Sequence, residues 1–150
     1  MKNRLPQIIT VFLLAILLIS CSKAPQVIDY GKDQCHSCQM TIVDKIHGSE
    51  LITDKGKVYK FDAAECLIRY KNKLTESTEG YQFVTNYFEM PSGFIALNEG
   101  YFLISENLPS PMGANLTAFK TEEAIVKVHQ EKGGKMYTWS ELENYFKENK

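Results

Sequence analysis

Two ten-residue segments of this chain match each other in residue type, position by position, at an offset of 58 residues. They are Phe61-Asp62-Ala63-Ala64-Glu65-Cys66-Leu67-Ile68-Arg69-Tyr70 and Phe119-Lys120-Thr121-Glu122-Glu123-Ala124-Ile125-Val126-Lys127-Val128. Each follows a predicted hairpin. Residues 50–53 and 58–61 flank the turn-forming group Asp54-Lys55-Gly56-Lys57, and residues 94–97 and 101–105 flank Asn98-Glu99-Gly100. Each segment then opens a helix. In the first, Asp62 with Glu65 has the spacing of a capping box, and Ala63, Cys66, Leu67, Tyr70 and Leu74 make an apolar stripe. In the second, Thr121 and two acidic residues start the helix and Gly133-Gly134 ends it. Residues 81–87 and 135–137 read as closing strands. A third helix follows Ser140, paired with Glu143 as a capping box, with Trp139, Leu142 and Phe146 on its apolar face. The expected fold class is α+β: two homologous β-β-α-β units, about residues 30–90 and 91–150, packed as one domain. Neither unit is expected to stand alone at about 60 residues.

The first twenty residues stand apart from this pattern. Lys2 and Arg4 form a basic start, and residues 8–19 are apolar apart from Thr10. That run makes about 18 Å of helix, short of the ~30 Å hydrocarbon core of a bilayer. It reads as a signal peptide over residues 1–20, leaving residues 21–150 as the mature domain. Leu18-Ile19-Ser20-Cys21 resembles the lipobox of bacterial lipoproteins, which implies lipidation of Cys21 and a membrane anchor. Residues 22–26, with Pro25, read as a tether. The product is expected to be extracytoplasmic and membrane-anchored, where disulfides persist. Losing Lys2 and Arg4 leaves 15 basic against 18 acidic residues, so no basic field draws the chain to nucleic acid.

Chemistry concentrates in Cys35-His36-Ser37-Cys38-Gln39-Met40. Residues 39–43 read as strand, which puts Cys38, Met40 and Ile42 on one face, with the first two about 7 Å apart along the backbone. Thiolate and thioether together form a soft donor set that selects Cu(I) over magnesium, calcium or manganese. Three other readings of the CxxC pair stand beside this one. It can be a structural disulfide, half of a zinc site, or a thiol–disulfide oxidoreductase centre. No second CxxC completes a zinc site, and a pair leading into a strand differs from the strand-to-helix turn of thioredoxin-like proteins.

Cys66, on the apolar stripe, reads as a small buried hydrophobe. His36 reads equally as ligand or exposed residue, and His47 and His129 as surface residues. Ser110-Pro111-Met112-Gly113 suits a type I β-turn and places Met112 near a loop tip, while Met90 and Met136 are assigned to packing.

Tyr30-Gly31-Lys32-Asp33, the CHSCQM segment, Phe61-Asp62 with Cys66, and Ser110-Pro111-Met112-Gly113 with Phe119 together resemble the NosL family. The similarity runs from the lipobox to about Gly134. NosL proteins are copper-binding lipoproteins that accompany nitrous oxide reductase. The resemblance implies two β-β-α-β units, similar to the organomercurial lyase. It also implies a non-enzymatic role: carrying Cu(I) and helping supply the reductase's copper centres through a membrane assembly machine. By motif match, copper ligation falls on Cys38, Met40 and Met112, with Cys35 and His36 as further candidates. One position departs from the family pattern, since Gln39 stands where glycine is common. The alternatives to a copper chaperone are a periplasmic CxxC oxidoreductase or a structural lipoprotein.

Overall fold

The computed structural model describes residues 23–149. The expected signal peptide and the lipidated Cys21 lie outside them. Among the described residues, seven strands and three helices follow in the order β1 (Ser49–Ile52), β2 (Val58–Phe61), α1 (Ala64–Lys71), β3 (Gln82–Tyr87), β4 (Met90–Ala96), β5 (Tyr101–Ile104), β6 (Leu116–Phe119), α2 (Glu122–Lys132), β7 (Lys135–Tyr137) and α3 (Trp139–Glu148). They form a mixed α/β fold with two antiparallel sheets, in strand orders β2-β1-β3-β4 and β6-β5-β7.

The first hairpin forms where expected. Thr53 N–H donates to Lys57 O at 2.9 Å, Gly56 takes φ 79°, and Leu51 pairs with Tyr59. The second expected hairpin does not form. Residues 94–96 belong to β4 and pair with β3, Asn86 opposite Phe94. Leu97–Glu99 is a single 3-10 turn that carries the chain out of the first sheet. β5 instead pairs with β6, Tyr101 opposite Phe119, across the long loop that holds Met112. Gly100 is extended, and a Cβ there would meet Phe102 and Ile95 at 3.0 and 3.1 Å. That glycine serves close packing, and the turn that does form at 97–100 carries the chain to the second sheet instead of closing a hairpin.

Helix starts differ in the same way. Thr121 does cap α2, accepting from Ala124 N–H. The α1 N-cap is Ala63, with no side-chain cap. Asp62 and Glu65 turn inward and are buried, because the loop from the second sheet covers this end of the helix. The box on α3 lies two residues earlier than expected: Thr138 N–H donates to Glu141 Oε2 at 2.8 Å. Glu143 pairs with Lys71 of α1 instead.

One core spans both sheets, with Phe61, Leu67, Phe102 and Leu116 fully buried in it. α1 lies against β1 and against β6, so its first turn sits where the sheets meet. A smaller cluster of Leu103, Phe119, Ile125 and Val128 seats α2. Phe88 N–H donates to Ala118 O at 2.9 Å, stitching the β3–β4 turn to β6.

Candidate metal centre

The segment around the CxxC pair is a closed loop, not a strand. Gln34 and Thr41 bridge at its base, Cys35 N–H donates to Met40 O at 2.8 Å, and Gln39 N–H donates to Cys35 O at 2.9 Å. Closing so short a loop needs one left-handed residue, and Gln39 supplies it at φ 63°. Its side-chain amide donates to His36 O at 3.0 Å and holds the turn. The strand expected over residues 39–43 is therefore absent, and alternation does not set the directions of Cys38 and Met40. Cys38 is half-buried, whereas Met40 is 51% exposed.

The loop is fixed to the first sheet. His36 N–H donates to Lys60 O on β2 at 2.8 Å, and the Lys60 ammonium bonds Asp33 Oδ2 at 2.6 Å. Since β2 runs directly into α1, this attachment sets the loop against the first turn of the helix. Cys66 is buried, but it is more than core: the sulfurs of Cys35, Cys38 and Cys66 all lie within 4.8 Å of one another. Among the described residues this is the one cluster of three histidine, cysteine or acidic donors with that spacing. All three are free thiols.

Their protonation is uneven. A hydrogen bond from the Cys66 thiol, opposed by burial and assisted by backbone N–H groups of Cys38, Asp62 and Ser37, draws the Cys35 pKa down to about 4. The same bond, with burial, pushes Cys66 up, and burial followed by the neighbouring Cys35 pushes Cys38 up. This pattern favours one thiolate, at Cys35, with two thiols around it. Asp62 is also raised, to about 6, by burial first and then by the Cys35 charge.

The other sequence candidates fall into place around this triad. The His36 ring packs against Tyr59 and Tyr70, at centroid distances of 4.5 and 5.1 Å, outside the three-donor cluster. The turn at 110–113 forms, with Gly113 N–H donating to Ser110 O at 3.1 Å. Ser110 Oγ donates to Glu65 Oε1, fastening this turn beside the residue that precedes Cys66. Met112 is half-buried and packs on the same core cluster as the cysteines. The expected turn is thus present, but it lies against the core because Ser110 is bonded to Glu65 of α1. Met90 and Met136, assigned to packing, are instead 55% and 40% exposed, on strands with an open edge. His47 is buried, not superficial: its Nε2 lies 3.1 Å from Thr117 Oγ1 and its Nδ1 faces Asp44 at 3.0 Å.

Three comparisons bear on this arrangement. The NosL family model matches residues 28–146. The crystal structure of the copper chaperone NosL from Shewanella denitrificans superposes with a TM-score of 0.69 at 23% identity, covering 80% of this chain and 96% of that one. Comparison with curated proteins gives no match.

Proposed function

Because this chain belongs to the NosL family over residues 28–146, we propose that it is an extracytoplasmic, lipid-anchored copper chaperone that carries Cu(I). On this reading Cys21 bears the lipid, and the cargo passes to the membrane machinery that matures nitrous oxide reductase. The observation that carries the copper reading is the convergence of Cys35, Cys38 and Cys66 to within 4.8 Å. Soft sulfur donors without a competing carboxylate or imidazole suit a monovalent soft ion. The name of the Shewanella structure, a copper chaperone, points the same way.

The chemistry follows from the protonation pattern. Binding must displace protons from the thiols, so affinity falls as the pH falls. Cys38 is the more accessible sulfur and is suited to make the first bond, with the buried Cys35 and Cys66 completing the site. Release reverses the order, as a partner's donors replace Cys38 first. On this reading Met112 and Met40, the thioethers of the two matched motifs, would supply neutral donors that add no charge. The β-β-α-β order also recurs, with β1 flanked by β2 and β3 and β5 flanked by β6 and β7. We read this recurrence as two homologous units.

An oxidoreductase reading gains from the low pKa of Cys35, but that thiol is 0% exposed and closed to a protein disulfide. A competition titration with a Cu(I) chelator, run on the reduced and the oxidised chain, tests the proposal. The reduced chain is expected to bind tightly and the oxidised chain not. Equal affinity in the two forms would overturn thiol ligation.

A further inference from the structure

We propose that the thiols of Cys35, Cys38 and Cys66 form a binding site for trivalent arsenic or antimony, taken from the oxyacid as a neutral tris-thiolate. This deepens the copper reading, since it uses the same three thiols, but it does not require copper to be the natural cargo.

Geometry makes the first argument. Three sulfurs lie within 4.8 Å of one another, and no imidazole nitrogen or carboxylate oxygen joins them at that spacing. An ordinary CxxC pair offers two thiols. Here α1 supplies a third from outside the loop, which is the number a trivalent metalloid takes.

Charge makes the second argument. Cu(I) held by three thiolates carries two net negative charges, and an uncompensated charge in the interior is costly. Among the described residues no lysine or arginine is buried. The buried ionisable neighbours are acidic: Asp62 and Glu65 are 1% and 0% exposed, and each has an oxygen without a hydrogen-bond partner. The surroundings favour a complex with no net charge. Arsenous acid gives one with three thiols. Three As–S bonds form, three As–O bonds and the S–H bonds of Cys38 and Cys66 break, and three waters leave; because Cys35 enters as a thiolate, one proton is taken from solvent, and the oxidation states of arsenic and sulfur are unchanged. Copper reaches neutrality by a different route, one thiolate with neutral donors, which is where methionine sulfur serves. The two ions therefore share the three cysteines but use them differently: the metalloid takes all three as thiolates and no thioether, whereas copper takes one thiolate with neutral thiol and thioether donors.

The test uses the full-length reduced chain, without copper, and arsenite as the probe. Alkylation followed by peptide mapping reports which cysteines arsenite protects. Protection of Cys35, Cys38 and Cys66 together, at one arsenic per chain, is expected. Protection of Cys35 and Cys38 with Cys66 alkylated as fast as without arsenite would overturn the proposal, and so would protection of none. Cys66→Ser is expected to weaken arsenite binding roughly 10- to 100-fold, whereas Met40→Ala and Met112→Ala leave it unchanged. Mapping of the unmodified sequence decides the matter even where Cys66→Ser fails to fold. A Cu(I) titration on the same preparation separates the two readings. Copper binding with Cys66 unprotected by arsenite defeats only the metalloid site, and three-thiol protection without copper affinity defeats only the copper reading.

Discussion

The sulfur of Cys66, on the first turn of α1, lies within 4.8 Å of the sulfur of Cys35 in the loop that precedes β1. This contact joins a helix to a loop through side chains alone, and it makes Cys35 the most acidic of the three thiols. Removing the donor should reverse the effect. Cys66→Ala is expected to raise the Cys35 pKa from about 4 toward the ordinary thiol range. Ultraviolet thiolate absorbance followed against pH reads this directly. An unshifted low midpoint would assign the acidity to the backbone N–H groups instead.

His36 is expected to hold the loop and not the metal. Its contacts with Tyr59 and Tyr70 are each worth roughly 0.5–1.5 kcal/mol, enough to keep the loop over Cys35. His36→Ala should raise the alkylation rate of the metal-free Cys35 by about 10-fold, the equivalent of ~1.4 kcal/mol. His36→Phe should restore slow alkylation and leave Cu(I) affinity unchanged. Loss of affinity in the phenylalanine variant would make His36 a ligand.

Gln39 sits in the left-handed region, which costs a residue with a side chain about 1–2 kcal/mol. Its amide bond to His36 O recovers part of that. Gln39→Gly is therefore expected to change stability by no more than about 1 kcal/mol, in the stabilising direction. Gln39→Val, which keeps the strain and loses the bond, should destabilise by roughly 1–3 kcal/mol. Denaturant melts of the three chains check the order.

Glu50 is buried on β1, held by one hydrogen bond from Gln26 N–H, and burial raises its carboxyl from 4.5 to about 7. A carboxyl raised by folding stabilises the fold while it is protonated. Its contribution is complete below pH 4.5 and is lost as the pH rises through about 7. Glu50→Gln should accordingly stabilise the chain by roughly 1–3 kcal/mol at pH 8 and by little at pH 5. Thermal melts at both pH values decide, and an equal effect at the two would remove the linkage.

Much of this fold was legible because hydrophobic period and turn chemistry agree locally. β1 with β2, the Thr121 cap and the glycines after α2 are examples. The second hairpin was not, since Asn98-Glu99-Gly100 carries a turn composition while Gly100 answers a packing demand from Phe102 and Ile95. The pairs Asp62/Glu65 and Ser140/Glu143 have capping spacing, but tertiary contacts turned Glu65 to Ser110 and Glu143 to Lys71. At the site, Cys35 and Cys38 were visible from spacing. Cys66 was not, because a thiol on an apolar helical stripe reads as core whether or not it faces other sulfurs. The available signal was its place in the motif set, with Phe61-Asp62, at the first turn of α1.

Whether copper is held by sulfurs from the loop and the helix together is tested most directly by a Cu(I) competition titration on Cys66→Ser and Met112→Ala beside the unmodified chain. Both variants are expected to remain folded and to bind about 10-fold more weakly or worse, while Met90→Ala, on the exposed start of β4, binds unchanged. Unchanged affinity in Cys66→Ser would confine the site to the CHSCQM loop and contradict the three-thiol centre.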